Sequence, residues 1–439
     1  MRNIAIIGTG YVGLVSGSGI SDFGHNVICA DINEDKIKLL NKGQIPIYEP
    51  GLEELVLRNV QANRLSFTTN LKEAIQKSEV VFIAVGTPQS ENGEADISAV
   101  NAVAKTIGEN LNNKKVICTK STVPIGTGEI VSGIINENKS TEAEFEYVSN
   151  PEFLREGSAV KDFLWPDRIV IGSESEWAFE IMKDVYRPLY INDTPIVNTT
   201  VETAELIKYA SNAFLSLKIS YINEISALCE KVGADVHVVA KTMGSDGRIS
   251  PKFLHPGPGF GGSCFPKDTS ALVSMAQNKN VPMRTIQAAI ETNVHQKKRM
   301  VIKLHALTGD FSGLTIGILG LAFKSKTDDV RESASLEMVG SLLKAGAQIK
   351  AYDPEANTSF TEFFPEITYC KTWEEAVKNT DAVAVMTEWN EFRTMDLKKL
   401  KYLMKSPIIL DTRNILSRKE LQKNGFSFDN VGRPMASMQ

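Results

Sequence analysis

The chain has 439 residues, 42% hydrophobic and 23% charged, with a formal net charge of −5. This length allows two or three domains around ordinary cores, and an acidic balance without basic, aromatic-interleaved stretches argues against a nucleic-acid partner. No apolar run approaches the ~20 residues that cross a bilayer, and five cysteines at irregular positions, 29, 118, 229, 264 and 370, argue against a disulfide framework and for a reducing, cytoplasmic setting.

The N-terminus, "MRNIAIIGTGYVG", runs directly into a strand and a glycine turn, which is not the pattern of a signal peptide. Short Val/Ile-rich runs, "NIAIIG", "NVICAD", "EVVFIAVGT", "KVICTKST" and "FEYVSNPE", then alternate with helical segments. Continuous apolar strands separated by helices predict a parallel sheet covered on both faces. "GTGYVG" follows the first strand and opens a helix, and the second strand ends in Asp31, about 20 residues beyond the glycines, as a dinucleotide fingerprint requires. Gly8 permits the tight turn, Gly10 lets the backbone approach a pyrophosphate, and Gly13 lets helix and strand pack closely. The helix start supplies free N–H groups to the phosphates. Asp31 would accept from the ribose hydroxyls and repel a 2′-phosphate, so NAD is expected rather than NADP. "VGTP", Val85 to Pro88, is expected to line the cofactor crevice.

From Glu202 to Lys231 the apolar residues recur at three- and four-residue intervals, which predicts one long helix. Lys208 and Asn212 share one face of it and could hold an oxyanion, although alone the pair reads more readily as a solvated polar stripe. In "NPEFLREG", Glu152 or Glu156 could activate water; an isolated pair is explained first by helix-start charge preference. In "GPGFGGSCFPKD" a lone Cys264 lies among glycines beside Lys267 and Asp268, which suits neither a structural thiol nor a zinc ligand. A thiolate is useful when an alcohol is oxidised through an aldehyde: it adds to the carbonyl, and the adduct can be oxidised to a thioester that water cleaves. Gly261 and Gly262 allow close approach of a bulky substrate, and Lys267 could favour the thiolate. Cys29, Cys118 and Cys229 fall in apolar patterns expected to be core, and Cys370 is expected on a strand. The five histidines (25, 237, 255, 295, 305) are scattered without ligand spacing, so no metal is expected, and His255 reads as a loop residue.

At "LTIGILGLAFK" a strand and glycine turn return, followed by "AQIKAYDP", "DAVAVMTEW" and "PIILDTRN". "EVVFIAVGTP" and "DAVAVMTEW" occupy corresponding places, which suggests an internal duplication. The turn at Gly320 lacks a full fingerprint and suits a single nucleotide better than a second NAD. Lys324 and Arg331 could supply charge to phosphates or ribose, with surface cations at a helix start as the alternative. The expected fold is α/β: two Rossmann-like doubly wound domains joined by a long central helix and a helical middle domain. The expected boundaries are 1–200 for the NAD-binding domain, 201–300 for the central domain carrying the cysteine loop, and 301–439 for a nucleotide-sugar domain.

Taken together, "GTGYVG", "KSTVPIGTG", "NPEFLREG", the Lys208/Asn212 pair, "GPGFGGSCFPKD" and "GLAFKSKTDDVRES" resemble the UDP-glucose/GDP-mannose dehydrogenase family. The motifs run to about residue 335, and the duplicated α/β segment carries the likeness to the C-terminus. The resemblance implies that Cys264 is the nucleophile, that Lys208 and Asn212 contact the sugar and stabilise the oxyanion, and that Asp268 assists with water or proton transfer. Glu152 would be the base for thioester hydrolysis, and Thr122 would belong to the catalytic water network. It implies NAD contacts from Gly8, Gly10, Tyr11, Val12, Gly13, Asp31, Lys36, Thr87, Thr122, Glu156, Lys267 and Arg331. Substrate contacts would come from Glu152, Phe153, Leu154, Arg155 and Glu156, from Lys208 and Asn212, and from Phe253, Leu254, His255, Pro256, Gly257 and Gly261. Lys324 and, more weakly, Arg413 would add to these. Arg248 would reach a neighbouring subunit's site, so a homodimer is expected.

The implied reaction is oxidation of UDP-glucose to UDP-glucuronate with two NAD. Its rivals are the same chemistry on GDP-mannose or a UDP-N-acetylhexosamine, a one-step β-hydroxyacid dehydrogenase, which needs no thiol, and a non-catalytic NAD sensor. The serine after "NPEFLREG" and the wording of "GFGGSCFPKD" favour glucose.

Overall fold

The computed structural model describes residues 1–90, 93–140 and 142–435. Its contacts divide the chain into two compact units, Met1–Ser211 and Asn212–Gln439.

The first unit is built on eight strands: β1 Asn3–Ile7, β2 Asn26–Ala30, β3 Leu65–Thr68, β4 Val80–Ile83, β5 Lys115–Thr119, β6 Phe145–Ser149, β7 Ile169–Gly172 and β8 Ile196–Thr199. Their order across the sheet is β3-β2-β1-β4-β5-β6-β7-β8. The strands read as unbroken apolar runs because helices cover both faces. Successive side chains of a strand point to opposite faces, so Ile4 and Ile6 enter one core with Val27, Val80 and Phe82, while Ala5 and Ile7 enter another with Val81 and Ile83. Where β1 ends, the chain turns through Gly8 (φ 104°) into the helix Tyr11–Asp22.

The expected parallel sheet holds through β6, and the structure departs from it at one pair: β7 runs antiparallel to β6, meeting it at Ser149↔Gly172. The cause is the connection. A parallel crossover must travel back along the sheet, usually as a helix. Between β6 and β7 the chain has only the six-residue helix Ala159–Leu164, roughly 9 Å long. The segment carrying "NPEFLREG" therefore stays at the carboxyl edge of β6, and β7 starts from that edge.

The second unit has six strands: β9 Thr315–Leu319, β10 Gln348–Tyr352, β11 Thr368–Tyr369, β12 Ala382–Val385, β13 Ile408–Asp411 and β14 Ser427–Asn430. Their order is β11-β10-β9-β12-β13-β14, with parallel pairings throughout. This repeats the order of the first six strands, so β12 stands beside β9 as β4 stands beside β1. The fold is thus α/β with two doubly wound Rossmann-type sheets. Cys370 lies just past β11 rather than on a strand, with Cys29, Cys118 and Cys229 also buried. The helix Val201–Val232 matches the expected long helix to within a residue at each end and carries the chain from one unit into the other. The second unit also holds the helices Phe265–Asn278 and Arg284–Thr308. No helix among the described residues is long and apolar enough to cross a membrane.

Candidate active site

In the first unit, Gly8 and Gly10 lie in the turn between β1 and the helix Tyr11–Asp22, with Tyr11, Val12 and Gly13 in the helix's first turn. A β-carbon placed on Gly10 would find no atom within 4 Å, so the backbone there is open to a ligand and a side chain would fill that space. Asp31 follows β2 directly. Its Oδ2 accepts from the Thr9 N–H at 2.7 Å and the Thr9 hydroxyl at 2.8 Å, and its Oδ1 accepts from the Asn33 N–H at 2.9 Å. Burial works against its charge, but the hydrogen bonds from Asn33 and Thr9 and the nearby Lys36 hold the carboxyl below its ordinary value. An ionised acid beside an open glycine turn fits the ribose and pyrophosphate of NAD. Thr87 donates to the Thr122 carbonyl at 2.8 Å, which brings two further expected cofactor residues together.

Tyr11 donates to Glu49, a buried carboxylate that also accepts from the N–H groups of Gly157 (2.6 Å) and Ala159 (2.8 Å). Burial and the Glu49 carboxylate push the Tyr11 phenol far up, with Glu156 adding to the effect. Glu49 therefore ties the start of the helix after the glycine turn to the end of "NPEFLREG" and the residues just beyond it. Arg155 faces outward and pairs with Asp162 at 2.5 Å.

Glu152 and Lys208 form a buried ion pair, with Lys208 Nζ 3.0 Å from Glu152 Oε1. The other carboxylate oxygen accepts from the Leu154 N–H, which fixes its orientation. The Phe153 ring is covered by Arg168, 3.6 Å from its centroid, and Lys208 Nζ lies 5.4 Å from the same ring. One turn before Lys208, Glu205 accepts from the N–H groups of Gly126 (2.7 Å), the N-cap of the helix Thr127–Asn138, and of Gly128 (3.1 Å) in its first turn. Burial pushes the Glu205 carboxyl up to about 7, against the pull of those two hydrogen bonds.

In the second unit Cys264 is the N-cap residue of the helix Phe265–Asn278, with Pro266 in the first turn. Pro suits that position because its missing N–H has no helical partner there and its φ is already helical. A sulfur at a helix start faces free N–H groups and the positive end of the dipole, which stabilise a thiolate. Asp268 lies one turn on, its N–H donating to the Cys264 carbonyl at 2.8 Å. Its buried carboxylate accepts from Asn212 Nδ2 at 2.6 Å and from Lys267 Nζ at 2.7 Å. Lys267 is thus engaged with Asp268, its neighbour in the chain. Asn212 stands one turn after Lys208 on the helix Val201–Val232.

The glycines before Cys264 are dictated by close packing. A β-carbon on Gly261 would lie 2.3 Å from the Glu332 carbonyl oxygen. Asn293 bonds both the N–H (2.7 Å) and the carbonyl (2.9 Å) of Phe260, while Asn223 and Gln296 hold the N–H and carbonyl of Gly257. Phe253 adopts φ 65° and its ring lies 6.0 Å from that of Phe265. Leu254, Pro256 and Gly257 are buried in this loop, and His255 is exposed. Arg413 donates to the carbonyls of Phe323 (2.5 Å) and Met386 (2.8 Å), and its Nη1 would lie 3.6 Å from a β-carbon on Gly257. Lys324 Nζ lies 5.2 Å from the centroid of the Phe323 ring. Arg331 pairs with Asp329 at 2.8 Å, and Arg248 pairs with Asp246 at 2.6 Å on a side chain that is 89% exposed.

Sequence reasoning passed over Glu49, Glu205, Asn223, Asn293 and Gln296. Each acts by satisfying backbone groups of a loop far along the chain, and such partnerships leave no periodic signal. Glu205 had the one available clue, its place three residues before Lys208.

The NAD binding domain of the UDP-glucose/GDP-mannose dehydrogenase family matches residues 2–190, its central domain residues 202–295 and its UDP binding domain residues 317–418. A UDP-glucose 6-dehydrogenase of Rhizobium meliloti (strain 1021) is 51% identical over 435 residues, covering 98% of this chain and 99% of that protein. UDP-glucose 6-dehydrogenase TuaD of Bacillus subtilis (strain 168) is 49% identical, covering 99% of this chain and 94% of its own. Among solved structures, a UDP-glucose dehydrogenase from the hyperthermophilic archaeon Pyrobaculum islandicum superposes with a TM-score of 0.92 at 36% identity, covering 99% of this chain and 98% of its own.

Proposed function

The chain belongs to the UDP-glucose/GDP-mannose dehydrogenase family, and from that premise we propose that it oxidises UDP-glucose to UDP-glucuronate, removing four electrons through covalent intermediates on Cys264. The observation that carries this reading is Cys264 itself: a half-buried thiol at a helix start with a buried carboxylate one turn on. An oxidation that stopped at one step would have no use for it. The full-length likeness to two UDP-glucose 6-dehydrogenases selects the sugar nucleotide.

The glycine turn and Asp31 would hold NAD, which would supply the electron acceptor for each oxidation. The chain's own groups do the rest. The Cys264 thiolate adds to the C6 aldehyde, forming a C–S bond and an alkoxide that Lys208 and Asn212 stabilise. After the second oxidation the carbon is held as a thioester. Glu152 takes a proton from water as the water oxygen bonds to that carbon, and the C–S bond breaks to return the thiol. Asp268 holds Asn212 and Lys267 in place and moves protons at the sulfur. Phe253 to Gly257, Gly261, Lys324 and Arg413 hold the nucleotide sugar, and Thr122 orders water.

We also read the central segment, 201–300, as the dimerisation domain between nucleotide-binding domains at 1–200 and 301–439. The support is a stripe of exposed apolar side chains at seven-residue spacing on the long helix, Phe214, Tyr221 and Leu228, exposed by 60%, 45% and 56%. Arg248 would then serve the neighbouring subunit. A nucleophilic thiol and four other free cysteines suit a reducing cytoplasm.

The test is product analysis after incubation with NAD and, separately, UDP-glucose, GDP-mannose and UDP-N-acetylhexosamines. UDP-glucuronate is expected from the first. Turnover of another sugar nucleotide with none of UDP-glucose would overturn the assignment.

A further inference from the structure

Behind the Glu152–Lys208 pair lies a second lysine that the mechanism above does not use. Lys120 follows β5 directly and Asn150 follows the neighbouring β6, two residues before Glu152; the two strand ends are joined by the Asn150 N–H to the Thr119 carbonyl at 2.9 Å. Lys120 Nζ lies 3.1 Å from Asn150 Oδ1, 3.4 Å from the Asn150 carbonyl and 3.3 Å from the Tyr186 hydroxyl. Tyr186 in turn donates to Asn150 Oδ1 at 2.6 Å, and Asn150 Nδ2 donates to the Val170 carbonyl at 2.7 Å. An ammonium has three N–H donors, and three oxygens surround this one.

Lys120 is only 4% exposed. Burying an ammonium costs several kcal/mol unless charge compensates it, yet all three of these oxygens belong to neutral groups. The charged and titratable groups that act on it are Cys118, Glu152 and Lys208, with the Tyr186 phenol in contact. Burial draws the ammonium down to about 8; Cys118 and Glu152 pull it up and Lys208 pushes it down. Glu152 is thus acted on by two cations, one in direct contact and one behind.

We propose that Lys120 is a positioning residue for the hydrolytic half of the reaction: its ammonium holds Asn150 at the end of β6 and so fixes the segment that carries Glu152. The inference rests on the thioester reading above. Glu152 must be a carboxylate to take the proton of water as the C–O bond forms and the C–S bond breaks. No electrons are exchanged in that step.

The experiment follows covalently modified Cys264 by rapid quench and intact-mass measurement during turnover with UDP-glucose and NAD. In Lys120→Met the first oxidation should keep its rate while the modified fraction rises several-fold. Tyr186→Phe keeps the charge and loses the hydroxyl contacts to Lys120 and Asn150; it should raise the modified fraction less. Equal slowing of both halves with no change in modified fraction would overturn the assignment. If Lys120→Met does not fold, a wild-type modified fraction in Tyr186→Phe decides against it. Glu152→Gln separates the two readings: adduct in Glu152→Gln but not in Lys120→Met overturns the role of Lys120 alone, and adduct in neither overturns the thioester chemistry with it.

Discussion

Glu152 and Lys208 bury opposite charges in direct contact. Removing one partner of such a pair leaves an uncompensated buried ion, at a cost of about 3–5 kcal/mol. Lys208→Met should therefore lower the unfolding midpoint, and Lys208→Met combined with Glu152→Gln should recover part of the loss. Thermal melts of the two single variants and the double variant give the coupling; additive effects would contradict a direct pair. The same Lys208→Met should lower kcat about 10²–10³-fold if the ammonium faces the oxyanion. At this scale the sequence was informative where chemistry needs a particular atom. Cys264 stood out because no structural role suited a thiol among glycines, and Glu152 because it lay in a motif. Glu49 did not stand out, since a carboxylate that accepts from Tyr11, Gly157 and Ala159 looks in one dimension like any surface acid.

Elements carry these residues to their places. Glu205 joins the helix Val201–Val232 to the helix start at Gly126 and Gly128, and its carboxyl, pushed up to about 7 by burial, binds a proton more tightly in the folded than in the unfolded chain. Stability from that proton is intact below the ordinary value of 4.5 and is lost as pH rises through about 7. Glu205→Gln removes the titration, so the unfolding midpoint of the natural chain should fall relative to the variant across that window. Parallel curves would contradict the shift. The long helix was legible from its period, and five strands of the first sheet from their apolar runs. β3, β7 and β8 were not, being four residues each with β8 only half-buried. The antiparallel β7 was hidden because strand direction depends on what the connection can span, not on the strand's own residues.

Across the whole chain, one strand order appears twice, yet the two glycine turns are used differently. Asp353 stands after β10 as Asp31 stands after β2, but it is buried and its oxygens are taken by the N–H groups of Leu321, Ala322, Glu355 and Ala356 and by the Trp389 indole. With its acid spent inside the protein, the second sheet lacks the ribose-binding carboxylate of a dinucleotide site. This agrees with the expectation of a single nucleotide there, drawn from the missing glycines after Gly320. The apolar stripe of Phe214, Tyr221 and Leu228 belongs to the same scale. Tyr221→Glu with Leu228→Glu should convert a dimer to monomers in sedimentation velocity; a natural chain already monomeric at micromolar concentration would contradict the dimer.

The central claim is that one thiol carries a sugar through two successive oxidations. Its most direct test is the count of NADH released per UDP-glucose consumed when UDP-glucose is limiting and NAD is in excess. The account predicts two, and no UDP-glucuronate from Cys264→Ala. One NADH per UDP-glucose, or two from the variant at the natural rate, would contradict it.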